Sequence, residues 1–492
     1  MFESYSTDAN NIAVSNISIT GQNIIYLYNM INFDISWENS WRNDIAGTGN
    51  AAPYNWDAAW VFVKYRIDSG AWQHAWLDSA GHSNPEGSTV TTGLLNPGLP
   101  FNTTANPGLG VFIYRNANET GAFSATGVQL RWNYGATGVN DDAVIDIRVF
   151  AIELAFIPQE SFYAGSGGTE YSAFYKYPTS TSPFQVTSEG EISVGTAIDN
   201  LYYNYTLDGG DQLGPVPAAF PKGYAAFYCM KYEISQQGYV DFLNCLTQTQ
   251  ANRRKYNGAT YRYAITGNTA GSYTTTNPYV ACNYLNWADL AAYFDWSGLR
   301  PITELEYEKS CRGPLPAVPN EFAWGTTAIA TGQYTLSNNG DNNENIASNY
   351  SATGGNATYG LTTPIGGTIN GPVRGGIFAA HSGNTGRVTA GATYYGIMEM
   401  TGNLLEHFVT VGNPTGRSFT GMHGNGTVNT YGNADVTNWP GTNSNGAGFR
   451  GGYWYIPAQY VMVSDRSGAA GTDANRYHSD GGRGGRTAPS LN

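Results

Sequence analysis

The stretch that most constrains the fold of this chain is residues 396–407, with the sequence GIMEMTGNLLEH. A glycine-containing turn lies between two carboxylates, Glu399 and Glu406. Hard cations such as Ca²⁺ bind carboxylate and backbone carbonyl oxygens in a flexible shell, and the carbonyls of Gly402 and Leu404 complete such a set. The stretch therefore predicts a structural calcium site that fixes a long loop. The alternative is that Glu406 caps a turn by accepting hydrogen bonds from backbone N–H groups.

Five further motifs stand in a fixed order around this turn. They are FYCMKYEIS at 227–235, GLRPITELEYEK at 298–309, FAWG at 322–325, GFRGG at 448–452 and SDR at 464–466. In this order they resemble the formylglycine-generating-enzyme (sulfatase-modifying factor) domain, a variant of the C-type lectin-like fold. The resemblance begins near Glu153, runs to about Arg486 and covers roughly the last two thirds of the chain.

The enzymes of this family carry a catalytic centre that the present sequence lacks. In them, two cysteines near the C-terminus bind copper and attack the substrate. The matching segment here, residues 453–466, contains no cysteine, and the four cysteines of the chain all lie earlier, at Cys229, Cys245, Cys282 and Cys311. Without a thiolate there is no soft ligand for copper and no sulfur nucleophile.

A second enzyme branch, the iron-dependent sulfoxide synthases, takes histidine ligands from an added helical domain. None of the six histidines in this chain shows close ligand spacing. We therefore expect no copper and no catalysis of either kind.

The family often has a second calcium site, in a loop that starts with Asn-Ile. Asn345 and Ile346 match its first two ligands, but no aspartate stands at the later ligand position. Asp341 and Glu344 offer carboxylates in its place, and the alternative is a solvated loop.

The net charge of −13 argues against nucleic acid as a partner, because binding to phosphate backbones needs clustered lysine and arginine. Charged residues make up only 12% of the chain, about half the usual share, so neutral polar groups solvate the surface. Proteins that work outside cells or pack into assemblies often have such a surface.

The sequence contains no apolar run of roughly 18 residues, so we expect no membrane span. Its first residues show neither the basic nor the apolar part of a signal peptide. Either a signal was removed, or the product is made in the cytoplasm and leaves as part of a particle such as a virion. The four cysteines either form disulfides, with three possible pairings, or pack as free thiols.

The predicted fold class is α+β. An antiparallel β-sandwich is expected over residues 1–150 and a loop-rich, C-type lectin-like domain over residues 151–492, with an insertion of short strands at about 164–222 and mainly loops over 325–395. Runs of β-branched and aromatic residues between Gly, Pro and Asn turns predict the strands of the sandwich. They are Ile24–Trp37, Trp60–Tyr65, Leu109–Arg115, Val128–Trp132 and the half-buried, alternating run 143–149.

Seven of the twelve tryptophans fall in the first 150 residues. We expect most of them, including Trp37 and Trp60, to fill the sandwich core, while residues 55–60 are the best candidate for exposed aromatic rings.

Three helices are predicted in the second domain. Ser235 caps the first, whose apolar face is Tyr239, Phe242, Leu243 and Leu246. The second runs from about Asn283 to Trp296. A capping box of Thr303 and Glu306 opens the third, which ends at Arg312.

The end of the chain carries a candidate ligand-binding surface. In the enzymes of the family this stretch lines the substrate cleft, and in related lectin-like variable proteins made by diversity-generating retroelements it forms the ligand surface. The candidate residues are Trp454, Tyr455, Asp473, Asn475, Arg476, Tyr477 and His478. Such residue types serve as adaptable contacts in paratopes, and the alternative is a solvated loop. Arg450 and Arg466 are expected in buried structural pairs.

Together these features predict a non-catalytic component of an extracellular surface or virion, of the phage-like fibre or decoration type. Its lectin-like face would bind a cell-surface glycan or protein receptor, and its N-terminal sandwich would anchor it by self-assembly or through a particle partner. Two alternatives stay open: a degenerate or altered enzyme of the same family, and a structural subunit of an extracellular filament or shell.

Overall fold

Long strands dominate the first third of the chain, and short elements separated by loops make up the rest. The computed structural model describes residues 2–3, 10–44, 52–204 and 208–489. The strands of the first part are β1 (Phe2–Glu3), β2 (Ala13–Asn23), β3 (Tyr28–Arg42), β4 (Asp57–Ile67), β5 (Gln73–His74), β6 (Ser88–Leu94), β7 (Gly108–Arg115), β8 (Glu119–Trp132) and β9 (Ile145–Ile157).

The second part mixes short strands with five helices in the described residues. In chain order they are β10 (Phe162–Ala164), β11 (Tyr175–Lys176), β12 (Phe184–Val186), β13 (Leu201–Tyr202), β14 (Phe227–Met230), α1 (Gln236–Leu243), α2 (Gln248–Arg254), β15 (Ile265–Thr266), β16 (Thr274–Thr275), α3 (Trp287–Ser297), α4 (Glu304–Arg312), β17 (Thr335–Ser337), β18 (Asn345–Ser348), β19 (Leu405–Val409), α5 (Pro414–Arg417), β20 (Ala447–Arg450), β21 (Asp480–Gly481) and β22 (Gly485–Thr487). The fold is thus mostly β-sheet with few helices.

Two sheets face each other in the N-terminal part. One has the order β2-β3-β8, and the other runs β6-β7-β4-β9 and continues into β14 and β22. Residues alternate between buried and less buried along β3, because one face of that sheet packs on the core. This core includes Phe33, Trp37, Val61, Leu130 and Val149, drawn from both sheets.

A second core lies on the opposite face of the larger sheet. There Trp60, Phe62 and Phe150 pack with Phe242 of α1 and Trp296 of α3. The larger sheet is therefore the middle of three layers, and β9 is buried on both faces from Ile147 onward. This differs from the half-buried strand predicted for 143–149, since the alternating pattern does not reveal the helices on the second face.

Strand β9 connects the two halves of the chain. It pairs with β4 from Ile67↔Ile145 to Asp57↔Ala155, and its last four residues also pair with β14, from Leu154↔Met230 to Ile157↔Phe227. Strand β14 then pairs with β22. The domain boundary predicted at residue 150 falls inside this strand.

The three predicted helices are confirmed. Ser235 Oγ accepts a hydrogen bond from Gly238 N at 3.1 Å at the start of α1, and Thr303 and Glu306 form the capping box of α4. Helix α3 begins at Trp287 and not near Asn283, because Asn286 caps it. Helix α2 was not predicted, although Thr247 and Gln250 form its capping box.

Two predictions for the N-terminal part were wrong. Residues 24–27 do not belong to a strand but form the turn between β2 and β3, where the Ile25 side chain is 81% exposed. Residues 55–60 are buried and not exposed. Trp56, for example, stacks on Phe156 and donates a hydrogen bond to Tyr228 Oη at 3.1 Å, because the second half of the chain covers it. Trp37 and Trp60 lie in the core, as predicted.

Residues 164–222 contain only short strands, paired as β10 with β12 and β11 with β13, and residues 325–395 contain only β17 and β18 in the described structure. None of the helices in the described ranges is long and apolar enough to cross a membrane.

Candidate functional site

The turn at 396–407 positions its two glutamates differently. Glu406 lies on β19, fully buried, and both of its carboxylate oxygens accept hydrogen bonds from Arg483 Nε, at 3.0 and 2.7 Å. Burial raises the pKa of Glu406, and the guanidinium of Arg483 acts against that rise. The Glu406 carboxylate is therefore half of a buried ion pair.

Glu399 is also buried, but its carboxylate accepts fewer hydrogen bonds than that of Glu406. Its backbone is left-handed, with φ of 55°. Its Oε1 accepts a hydrogen bond from Gly376 N at 2.9 Å, and its Oε2 has no hydrogen-bond partner among the described residues. Burial raises the pKa of Glu399 to about 7, so this carboxyl titrates near neutral pH.

The backbone of the turn itself is held by Glu233. Leu404 N donates to Glu233 Oε1 at 2.9 Å, and Asn403 Nδ2 donates to the other oxygen. Gly402 has φ of 79°, and a Cβ there would collide with the carbonyl oxygen of Thr358. Contacts within the protein thus fix the turn. The close approach of Thr358 explains why residue 402 is a glycine.

In the arrangement described, the guanidinium of Arg483 meets the Glu406 carboxylate of the predicted calcium site. A cation at Glu406 would meet the positive charge of Arg483, and no group of three or more His, Cys, Asp or Glu side chains in the described ranges is placed to hold a metal. The calcium site on Glu399, Gly402, Leu404 and Glu406 stays a prediction.

The side chains of the second candidate calcium site are also held by contacts within the protein. Asn345 Oδ1 accepts from the N–H of Ile346 at 2.8 Å, and its Nδ2 donates to Ala380 O at 3.3 Å. Glu344 is buried and ion-paired with Arg262. Of the two carboxylates offered in place of the missing aspartate, Glu344 is therefore already paired with a guanidinium, and Asp341 is exposed.

All four cysteines are free thiols buried in the core. Burial raises the pKa of Cys229 to about 12 and that of Cys245 to about 11, and it also raises the pKa of Cys282 and Cys311. Because the thiolate is the reactive form, these thiols are poor nucleophiles and poor metal ligands.

The segment 453–466, which the resemblance matches to the catalytic region of the enzymes, takes part in a buried hydrogen-bond and ion-pair network. Ser464 Oγ donates to Glu308 at 3.1 Å and accepts from Arg312 at 3.0 Å. Arg450 pairs with Glu304 and Glu308, and Arg466 pairs with Glu304. The expectation that Arg450 and Arg466 form buried structural pairs is confirmed.

The candidate ligand-binding residues divide into a buried and an exposed group. Trp454, which we expected on the accessible face, is fully buried against Ala281 and Leu404. Its Nε1 donates to His478 O at 3.3 Å, so the ring supports the loop from beneath. The sequence motif does not show that Trp454 is buried, because a tryptophan in a loop can either pack into the core or contact a ligand.

The loop at 473–478 lies above this ring and is fixed at its centre. Arg476 makes two hydrogen bonds to Asp289, at 2.6 and 2.7 Å, in the first turn of α3. Asp473 Oδ1 accepts from the N–H and the side-chain amide of Asn475, both at 2.8 Å. Asn475 and Tyr477 are exposed.

His478 stands at the end of the loop in an aromatic environment. Its ring centroid lies 4.3 Å from that of Tyr261, 5.3 Å from that of Tyr455 and 5.7 Å from that of Trp454. Burial lowers the pKa of His478, whereas burial raises the pKa of nearby Asp480 to about 7. Half-buried rings beside exposed polar groups are suited to non-covalent contact with a ligand.

A polar cavity of about 740 Å³ lies on another part of the molecule, between β3 and the loops around residues 342–398. We call it the seam cavity. Its lining includes Asn39, Trp41, Lys231, Asn343 and Arg374. Sequence reasoning missed it because the lining comes from six separate segments of the chain, and the asparagine-rich run at 342–345 was the one local signal.

The comparisons with known proteins place most of the chain in one family. A family model for the sulfatase-modifying factor enzyme 1-like domain matches residues 175–479. The match starts later than the resemblance near Glu153, and it includes most of the predicted insertion at 164–222. No curated protein matches the chain.

Proposed function

Since the chain belongs to the sulfatase-modifying factor enzyme 1-like family, we propose that it is a non-catalytic, ligand-binding member of that family, carried on an extracellular surface or a virion. In this proposal a C-type lectin-like domain presents the loop at 473–478 to a cell-surface glycan or protein receptor. An N-terminal β-sandwich attaches it to a particle or to further copies of itself.

The state of the thiols supports a non-catalytic role. The segment 453–466 contains no cysteine, and the hydroxyl of Ser464 within it is hydrogen-bonded to Glu308 and Arg312. All four thiols are buried, with raised pKa values. A reaction that depends on a thiolate has no group to carry it.

The observation that carries the proposal is the way the 473–478 loop is held. Arg476 pins the loop to α3, and Trp454 fills the space beneath it. Asn475 and Tyr477 then point into solvent from a fixed backbone. Binding residues are commonly found on loops positioned by a rigid scaffold, and a pre-organised loop loses little entropy when a ligand binds.

Attachment through the N-terminal part is supported by the turn at 24–27. Ile24, Ile25 and Tyr26 are each more than half exposed, at the tip of a hairpin that projects from the smaller sheet. Exposed apolar groups of this kind are typical of contact surfaces.

The test is binding of the full chain to a glycan array and to intact cells, with Tyr477→Ala and Asn475→Ala as variants. We expect each to weaken binding about tenfold, the equivalent of 1.4 kcal/mol, without a change in melting temperature. Tyr431→Ala is the matched control, because Tyr431 is also an exposed tyrosine of the same domain.

Two results would contradict the proposal. One is binding that is equally strong in Tyr477→Ala, Asn475→Ala and the unmodified chain. The other is conversion of a cysteine-containing sulfatase peptide above a boiled control, which would favour an enzyme with altered chemistry.

A further inference from the structure

We propose that the seam cavity is a second binding site, specific for a neutral saccharide. The inference does not depend on the loop at 473–478, which belongs to a different surface. It rests on the hydrogen-bonding groups, the aromatic rings and the charge balance of the cavity wall.

Amide side chains form most of the polar wall. Seven asparagines line the cavity, and they come from both of its sides. The amides of Asn10, Asn345 and Asn384 are hydrogen-bonded within the protein. Asn39 stands at the end of β3, whereas Asn342 and Asn343 stand on the opposite loop, where both are exposed. An amide offers a carbonyl acceptor and an N–H₂ donor side by side, and a sugar hydroxyl both donates and accepts. Opposed amides therefore match a ligand with hydroxyl groups on both edges.

Aromatic rings add a second element of sugar recognition. Trp41 is half-buried in the cavity wall, beside the buried ring of Tyr232. Gly396 lies close to the Trp41 indole, since a Cβ at Gly396 would be 3.1 Å from that ring, and Lys231 Nζ lies 4.7 Å from the ring centroid. Any larger residue would crowd the indole. An indole face packs well against the C–H face of a pyranose, which is apolar although the sugar edges are polar.

The charges of the cavity are compensated, which favours a neutral ligand. Lys231 is paired with the buried carboxylate of Glu153. Arg374 Nε donates to the backbone carbonyl of Glu344 at 2.5 Å, and the carboxylates of Glu344 and Glu399 act on the positive charge of its guanidinium. Glu38 stands exposed at the rim, and the chain as a whole carries −13. An acidic sugar would meet repulsion from Glu38 at the rim, and Lys231 is already paired with a carboxylate.

A neutral polyhydroxylated ligand also fits better than a peptide. Peptide recognition uses an open strand edge, an apolar groove or a cluster of arginines, and the lining of the seam cavity provides none of these. A pocket of several hundred Å³ is large enough for a small ligand, such as a di- or trisaccharide.

The experiment uses the full chain and four neutral tetrasaccharides: maltotetraose, cellotetraose, xylotetraose and chitotetraose in its N-acetylated form. Sialyllactose serves as the acidic probe. Binding is measured by saturation-transfer NMR and by tryptophan fluorescence, at concentrations up to the millimolar range. We expect at least one neutral probe to bind and sialyllactose to bind more weakly or not at all.

Two variants remove amides from opposite walls. The first is the double variant Asn342→Ala with Asn343→Ala, at exposed loop positions. The second is Asn39→Gly, which keeps the left-handed backbone of Asn39, with φ of 52°, and removes only the side chain. Each is expected to raise the dissociation constant of the neutral probe about tenfold with an unchanged melting temperature. Asn252→Ala, on the exposed face of α2, is the control and should bind like the unmodified chain.

Several outcomes would overturn the inference: no neutral probe binds, sialyllactose binds best, or both wall variants bind as well as the unmodified chain. Loss of binding in Tyr477→Ala, with no loss in the wall variants, would place the saccharide on the 473–478 loop. That result would support the function proposed above while removing the seam cavity as a site.

Discussion

Glu399 combines two features that are each unfavourable: a left-handed backbone in a residue with a side chain, and a buried carboxyl with one oxygen that lacks a partner among the described residues. Such positions persist only where the surroundings force them. Here the Gly376 N–H and the neighbouring charges of Arg483 and Arg374 lessen the cost without removing it, because the pKa of Glu399 is still raised to about 7.

This pKa predicts how stability changes with pH. Between the ordinary value of 4.5 and about 7, the folded chain binds more protons at Glu399 than the unfolded chain, so the free energy of unfolding falls as pH rises. Glu399→Gln removes this penalty and keeps a carbonyl acceptor for Gly376 N. We expect the variant to be more stable than the unmodified chain by roughly 3 kcal/mol near pH 8, with no gain near pH 4.

Urea denaturation at both pH values measures the difference. Glu38→Gln, at an exposed position, is the control and should change stability little at either pH. A Glu399→Gln variant that is equally stabilised at both pH values, or destabilised near pH 8, would contradict the explanation.

The sequence predicted individual residues well where their role is local and poorly where it depends on a distant partner. The cap at Ser235 is confirmed because its acceptor and donor lie three residues apart. Glu406, by contrast, is paired with Arg483, 77 residues later in the chain. Oxygen ligands around a turn predict a cation, and only the fold shows that a guanidinium lies against one of these carboxylates.

At the level of elements, the Glu406–Arg483 pair joins the middle of β19 to the segment between β21 and β22. Both side chains are essentially inaccessible to solvent, so removal of one partner leaves an unpaired buried charge. We expect Arg483→Met to cost about 3–5 kcal/mol of stability, and Glu406→Gln a similar amount. The double variant should cost less than the sum of the two, because it buries no unpaired charge.

The same variants test the calcium prediction. If Glu406 acts only through Arg483, the loss of melting temperature in Glu406→Gln will be the same in excess calcium and in excess EDTA. A loss that occurs only when calcium is present would show that the ion binds at this carboxylate after all.

Helices and strands could be predicted from the sequence where residues close together in the chain specify them. Helices α1 and α4 both have capping residues, and α1 also has an apolar face, so both could be predicted. The turn at 24–27 was assigned to a strand because Ile, Ile, Tyr and Leu favour strands, although hairpin geometry places them in solvent. The seam cavity has only a weak local signal, the asparagine-rich run at 342–345, since its wall is assembled from six parts of the chain.

At the scale of the whole molecule, the larger sheet and the core beside it join the two halves of the chain. Trp60 on β4 donates a hydrogen bond to Ser297 O at the end of α3, at 2.8 Å, and the guanidinium of Arg486 lies 4.2 Å from its ring centroid. Because the halves share a sheet and a core, we expect one calorimetric unfolding transition and not two.

Trp60→Ala should lower the stability of that single transition by roughly 3–5 kcal/mol, through the cavity that it leaves. Tyr26→Ala, in the exposed turn, should leave the melting temperature unchanged. Two well-separated transitions in the unmodified chain would mean that the halves fold independently, in spite of the strand they share.

The path of β9 also limits how such a chain can recombine with its relatives. A crossover at residue 150 would join the first six residues of one parent's strand to the last seven of another's, while the pairing of β9 with β4 requires a matched surface along its whole length. Even a crossover before Ile145 would separate β4 from the strand it evolved against. Viable hybrids should therefore inherit β4 and β9 from the same parent. The N-terminal sheets and the family domain are then expected to be inherited together.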